Sequence, residues 1–160
     1  MPRVLIVAYG NPLRCDDGVA WHAAEALESR FSSSEVEIVR LHQLAPEVAE
    51  AVRHRDLILF IDAACPTDVE NGMPGEIRVN EIPQPATPKD DAAQFSHVYS
   101  PVKILNLASE LYREGPKAFV ITVAGERFDH GDELSDAVAA AVPTLVAKVV
   151  EIVRGQISNS

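Results

Sequence analysis

VLIVAYGNPLRCDDG, residues 4–18, is an apolar run followed by turn-forming and acidic residues. Residues 4–9 are apolar throughout and are closed by the breakers Gly10 and Pro12, which is typical of a central strand buried on both faces. Residues 17–29 then repeat apolar side chains at helical spacing. A buried strand that leads directly into a helix is the beginning of an α/β unit.

The same alternation of strand and helix continues along the rest of the chain. The segments 57–62 (LILFID) and 118–123 (AFVITV) are two more buried strands by the same criterion. Further predicted elements are alternating, edge-like strands at 36–41 and 76–82 and helices at 45–54, 101–112 and 134–154. This order predicts an α/β three-layer sandwich, in which a mostly parallel twisted sheet of about five strands carries helices on both faces.

The length of the chain, 160 residues, predicts a single domain. We assign it to residues 1–155 and treat 156–160 as a polar C-terminal tail. Residues 83–96 contain three prolines and few apolar side chains, so they are predicted to form a long irregular loop, a feature that is usually functional. The sequence shows neither a signal peptide nor an apolar run long enough to cross a membrane, and we expect a cytoplasmic monomer without a membrane partner.

Charge and cysteine content narrow the classes of partner. The formal net charge of −10 argues against duplex nucleic acid, because binding to phosphates needs lysine and arginine. It fits a protein that binds a cation or a basic peptide. The two cysteines provide no disulfide framework and no CxxC pair.

Candidate functional residues follow two of the predicted buried strands. Ligands of parallel α/β sheets bind at the carboxyl ends of the strands. Asp17 follows the first strand, Asp62 ends the segment LILFID, and His97 lies at the far end of the proline-containing loop. Two carboxylates and one imidazole suit a borderline transition metal such as nickel or zinc, and three ligands leave coordination positions open.

Each of these residues also has a simpler interpretation. Asp16 and Asp17 could cap the helix that follows them. Asp62 could be an ordinary strand-end carboxylate, and His97 a solvated loop histidine. Taken alone, the residues indicate a candidate metal or acid–base site, and they do not identify its function.

Three motifs in order make the chain resemble the hydrogenase maturation protease family along nearly its whole length. They are GNxLxxD[DE] after the first strand, an apolar strand that ends in aspartate, and a histidine shortly before a helix. The resemblance implies that Asp17, Asp62 and His97 hold the metal. It makes Asp16 the adjacent, non-ligating carboxylate, tied to backbone N–H groups.

The resemblance implies an aspartic-type endopeptidase that removes the C-terminal extension of a nickel-containing hydrogenase large-subunit precursor after nickel insertion. The nickel would be borne by the substrate and used for recognition, and zinc or cadmium could substitute in vitro. The water could be activated by the metal or by Asp16, Asp17 or Asp62 as a general base. Asn11, Cys15 and Cys65 are expected to border the bound substrate; the two thiols could be soft transient contacts to nickel or simply packed, inert side chains.

Two alternative functions remain at this point. A non-catalytic nickel-binding escort of the large subunit would use the same ligands. A nucleotide-binding α/β module would need a glycine-rich phosphate loop, and Gly10-Asn11-Pro12-Leu13 has neither the GxGxxG nor the P-loop spacing.

Overall fold

The computed structural model describes residues 2–65, 72–83 and 99–158. In these segments the chain alternates between strands and helices, as predicted. The strands are β1 Val4–Tyr9, β2 Val36–Leu41, β3 Leu57–Ala64, β4 Ile77–Ile82 and β5 Lys117–Ala124. The helices are α1 Val19–Glu28, α2 Val48–Ala51, α3 Pro101–Tyr112 and α4 Asp136–Ser158, and the 3-10 turn Cys15–Gly18 precedes α1.

The strands form one sheet in the order β2-β1-β3-β5-β4. β1 is parallel to β2 and to β3, and β3 is parallel to β5. Of the five strands in the described segments, only β4, at one edge, runs antiparallel to its neighbour, β5. The prediction of a mostly parallel sheet of five strands is therefore confirmed, with β2 and β4 at the edges.

Alternate residues of the central strands pack into two separate cores. On β1, Val4, Ile6 and Ala8 face α1 and α4. Leu5 and Val7, which point the other way, face α2 and α3. Full burial of each valine, leucine or isoleucine contributes about 1.5–3 kcal/mol, so both faces stabilise the sheet. The molecule is thus the predicted three-layer sandwich.

The path of the chain reverses between β1 and β3. From β1 the chain moves outward through α1 to β2, and then crosses back to β3 on the other side of β1. Crevices for ligands open at such reversal points, beyond the carboxyl ends of the strands. The ends of β1 and β3 therefore define the place where a site is expected.

Two helices differ in extent from the sequence prediction. The helix predicted at 45–54 contains only the single α-helical turn Val48–Ala51. On either side of it the backbone bonds are of the tighter i→i−3 type, as in Ala49 N–H to Pro46 C=O and Arg53 N–H to Glu50 C=O.

At the C-terminus α4 reaches Ser158, so residues 156–158 are helical where a polar tail was predicted. Ile157 packs against the α1/α4 core, which explains the longer helix. Within the described segments, no helix combines the length and the apolar character that crossing a bilayer requires.

Candidate metal and catalytic site

Residues 10–18, called here the site turn, connect β1 to α1. The turn begins where Gly10 N–H donates to Leu41 C=O at 3.0 Å. A Cβ atom at Gly10 would lie 2.1 Å from the carbonyl oxygen of Asp17, and the residue has a φ of +143°. Glycine is required here because the turn folds back on itself.

Asp17 is held inside this turn by its own carboxylate. Oδ2 accepts the Asn11 N–H at 2.8 Å, and the Asp17 N–H donates to Arg14 C=O at 3.1 Å. The residue is half-buried. Within the described segments no hydrogen bond reaches Oδ1 of Asp17, so one carboxylate oxygen is available to a ligand.

Asp62 lies near the carboxyl end of β3, on the strand next to β1. Its register partner on β5 is Thr122, and its Oδ1 accepts the Ala63 N–H at 2.8 Å. By the alternation along β3 it belongs to the same face as Phe60, which packs towards α2 and α3. Cα atoms of β3 come within 8 Å of the 3-10 turn that carries Asp17. The two carboxylates therefore lie at the same edge of the sheet, at the reversal point.

The third proposed ligand, His97, lies outside the described residues. The next described segment begins at residue 99, and Ser100 is the N-cap of α3. The Ser100 side chain accepts the Lys103 N–H at 3.2 Å. In residues 2–65, 72–83 and 99–158, no three histidine, cysteine, aspartate or glutamate side chains are grouped so that they could hold a metal ion. A site with His97 as a ligand thus remains a prediction.

Asp16 has surroundings quite unlike those of Asp17. It is fully buried, and its carboxylate accepts four hydrogen bonds. Oδ2 receives the N–H groups of Glu126 at 2.7 Å and Arg127 at 2.9 Å and the Ser135 hydroxyl at 2.8 Å. Oδ1 receives the Ser135 N–H at 2.8 Å. The expectation that Asp16 is tied to backbone N–H groups is confirmed.

These donors keep the Asp16 carboxylate charged. Burial raises its pKa, but the N–H groups of Arg127, Glu126 and Ser135 and the Ser135 hydroxyl lower it by more, so the pKa lies below its ordinary value. Both carboxylate oxygens are already engaged by donors of the chain itself. Among the three aspartates considered as catalytic groups, Asp16 is therefore assigned a structural role. Asp16 is not a helix cap either, because no side chain forms a capping hydrogen bond at the start of the 3-10 turn or of α1.

The donors to Asp16 belong to residues 125–135, the loop between β5 and α4, called here the 125–135 loop. The same loop holds the backbone of the site turn. Cys15 N–H donates to Gly131 C=O at 2.8 Å, and Gly131 N–H donates to Leu13 C=O at 2.9 Å. The Arg14 side chain adds a bond from Nε to Phe128 C=O at 3.1 Å.

Sequence reasoning did not identify this loop as part of the site. Ser135 is 119 residues from Asp16 in sequence, and no local pattern connects the two. Gly125 is a second residue that was missed. A Cβ atom there would lie 2.5 Å from the Phe128 ring and 3.1 Å from Cβ of Asp16, so only glycine lets the loop approach so closely.

The three residues expected to border the substrate have different surroundings. The Asn11 side chain accepts the Leu13 N–H at 2.9 Å and so stabilises the turn itself. Cys15 is only 3% exposed, and burial, together with the nearby Asp129 carboxylate, raises the pKa of its thiol. Little of the Cys15 side chain reaches the surface, and a contact between it and nickel stays a prediction. Cys65 is half-buried, directly after β3.

Some open surface pockets of the described segments lie away from the Asp17 and Asp62 carboxylates. One of about 360 Å³ lies between β4, β5 and the end of α4, with Leu57 and Lys117 in its wall. Another of about 570 Å³ is lined by charged residues that include Arg3 and Asp56. Both pockets are lined by residues at the amino ends of β3 or β5. They therefore lie at the edge of the sheet opposite to Asp17 and Asp62.

Solved structures with this fold include three maturation proteases. The chain is similar to the hydrogenase maturating endopeptidase HybD from E. coli, with 23% identity and a TM-score of 0.77 over 96% of this chain and 93% of that one. It is also similar to the [NiFe] hydrogenase maturation protease HycI from Thermococcus kodakarensis, with 21% identity and a TM-score of 0.72 over 95% and 92% of the two chains. The third is the [NiFe] hydrogenase maturation protease HybD from Thermococcus kodakarensis, with 22% identity and a TM-score of 0.68 over 94% of this chain and 99% of that one.

At these identities the likeness shows the fold. It agrees with the family that the three sequence motifs resemble. No family model and no curated protein sequence matches the chain.

Proposed function

We propose that this chain is an endopeptidase that removes the C-terminal extension of a nickel-containing hydrogenase large-subunit precursor. The observation that carries the proposal is the position of Asp17 and Asp62 beyond the ends of neighbouring parallel strands, at the reversal point of a fold shared with solved hydrogenase maturation endopeptidases. The order of the three motifs supports the same function. The fold alone would not support a particular function, because one fold can serve many reactions.

Nickel enters this proposal as part of the substrate. Asp17, Asp62 and His97 would bind nickel that is already seated in the precursor, and the protease would thereby recognise a loaded large subunit. Two carboxylates and an imidazole suit a borderline metal, and three protein ligands leave positions for groups of the precursor. Bound there, the ion could polarise the scissile carbonyl or the attacking water.

The surroundings of the carboxylates distinguish the candidates for proton transfer. Asp17 and Asp62 are both half-buried, so each can meet a water molecule. Asp16 is fully buried and fully hydrogen-bonded, so it does not act as the base in this proposal. A general base needs to be within hydrogen-bond reach of the water whose proton it takes.

The test uses the purified chain and the large-subunit precursor in nickel-loaded and nickel-free forms. Mass spectrometry follows the loss of the C-terminal extension. We expect cleavage of the loaded precursor only, and loss of cleavage in His97→Ala and in Asp62→Asn. Asp132→Asn, which changes an exposed carboxylate, serves as the control and should cleave normally.

Other outcomes would contradict parts of the proposal. Tight binding of the loaded precursor without any change in its mass would indicate an escort instead of a protease. Equal cleavage of the nickel-free precursor would remove the recognition role of the metal. Normal cleavage by His97→Ala would remove that residue from the site.

A further inference from the structure

We propose that Asp16 is a positioning residue: with the 125–135 loop it holds the site turn in the shape that presents Asp17. This inference deepens the proposed function and rests on it, since Asp17 is one of the residues proposed to bind nickel. It assigns to Asp16 no contact with metal, water or substrate.

The first step is the chemistry of the buried carboxylate. All four partners of Asp16 are donors, and both of its oxygens are engaged. An amide in its place would direct an NH₂ group at one of these donors, so even an isosteric substitution breaks the arrangement. Hydrogen bonds to a charged acceptor are the strong ones, and a buried donor left unpaired is costly.

The second step connects Asp16 to the shape of the turn. The backbone of Asp16 and of the residue before it is fixed to the same loop, through Asp16 N–H to Arg127 C=O at 2.9 Å and Cys15 N–H to Gly131 C=O at 2.8 Å. Asp17 is the next residue, and its carboxylate is oriented by the Asn11 N–H across the same turn. A loop that moved away from Asp16 would release the turn and with it the orientation of Asp17.

The third step is the rigid element behind the loop. Ser135, which donates twice to Asp16, immediately precedes α4. α4 is packed against α1 and buries Val138 and Leu145 in the core. Asp16 thus connects the site turn to a helix whose position is set by the core, and groups that support metal ligands in this way typically alter metal affinity 10–100-fold when they are mutated.

The experiment compares Asp16→Asn with two controls. Val149→Ala removes methyl groups from the same helix, away from the site, and controls for lost stability. Asp132→Asn makes the same chemical change on an exposed residue of the 125–135 loop. If Asp16→Asn does not fold, Ser135→Ala replaces it, since it removes only the hydroxyl donor, and the same effects should then be smaller.

Two readouts are used on the folded variants. Amide hydrogen exchange at Asn11 reports the bond to the Asp17 carboxylate, and it should be roughly ten-fold faster in Asp16→Asn than in Val149→Ala. Calorimetric titration with Ni²⁺ alone should give an affinity about 10–100-fold weaker than that of the wild type, with both controls unchanged.

The outcomes separate this inference from the proposed function. If the wild-type chain binds Ni²⁺ and Asp16→Asn binds it equally well, the positioning role is wrong while the proposed function stands. If the wild type neither binds Ni²⁺ nor cleaves the precursor, the proposed function fails. Amide exchange at Asn11 then still tests whether Asp16 positions the site turn. Exchange at Asn11 that matches Val149→Ala would overturn the positioning role in either case.

Discussion

Asp16 and Asp17 show how far neighbouring residues of one type can differ. Asp16 is enclosed by four donors of a distant loop, whereas Asp17 is half-buried and keeps one oxygen without a bond in the described segments. Their order in the motif does not reveal which is which, because both are followed by the same helix. The resemblance to a family distinguished them, and the hydrogen bonds now supply the physical reason for Asp16.

Gly10 offers a test of the site turn at the level of a single atom. In Gly10→Ala the new methyl group would lie 2.1 Å from the Asp17 carbonyl oxygen, at a φ of +143°. The backbone strain alone should cost about 1–3 kcal/mol, and the clash adds to it. Urea denaturation should show this loss, and cleavage of the precursor should fall with it.

Gly115→Ala is the matched control for that prediction. A Cβ atom at Gly115 has no neighbour within 4 Å, so this variant should unfold like the wild type. Equal stability of the two alanine variants would mean that the turn has another conformation.

The pair of Arg3 and Asp56 predicts a pH dependence. A hydrogen bond and the charge of Arg3 hold the pKa of Asp56 below its ordinary value. A folded-state pKa below the unfolded one of about 3.9 means that the pair stabilises the fold above that pH, and that the contribution is lost as pH falls through the folded pKa. Asp56→Asn should therefore lower the free energy of unfolding slightly at pH 7, and the difference from the wild type should narrow as the pH falls below about 3.9.

The guanidinium of Arg3 is largely exposed, so the difference at pH 7 should also shrink in high salt. Urea denaturation at each pH, with and without added salt, measures both effects. A difference that grows on acidification would contradict the sign of the pKa shift.

Secondary-structure elements were predictable where burial determines them. The run VLIVAY became a strand buried along its whole length, and α3 has the bounds predicted for it, Pro101–Tyr112. The predicted helix at 45–54 shrank to Val48–Ala51, because apolar spacing does not distinguish an α-helix from a series of tighter turns. The contacts of the 125–135 loop could not be predicted at all, because they depend on how the sheet brings distant segments together.

Helix α4 contains a position that can be improved. Gly155 lies inside the helix and is exposed, and a Cβ atom added there would have no neighbour within 4 Å. Glycine inside a helix costs roughly 0.5–1 kcal/mol relative to alanine. Gly155→Ala should therefore raise the free energy of unfolding by about that amount. A decrease in thermal or urea stability would show that the end of α4 is not helical in solution.

At the scale of the whole molecule, the fold depends on the pattern of burial more than on residue identities. The chain shares 23% of its residues with HybD from E. coli and still matches it over 96% of its length. Two cores, one on each side of a central sheet, require only apolar residues of suitable size at alternate positions. The reversal between β1 and β3 follows from the order of the strands, and it locates Asp17 and Asp62 whatever the surrounding side chains are.

The two cores also predict how their mutations combine. Ile121 belongs to the α1/α4 core and Ile104 to the α2/α3 core, and both are fully buried. Each Ile→Val change should cost about 0.5–1.5 kcal/mol. Because the sheet separates the two residues and they share no cluster, the costs should add to within about 0.5 kcal/mol in the double variant.

Both cores stabilise the same central strands, so urea denaturation of the double variant should still show one transition, with the same midpoint by fluorescence and by circular dichroism. Separate transitions for the two signals would mean that the faces of the sheet unfold independently. A non-additive cost would instead show that strain passes through the sheet from one core to the other.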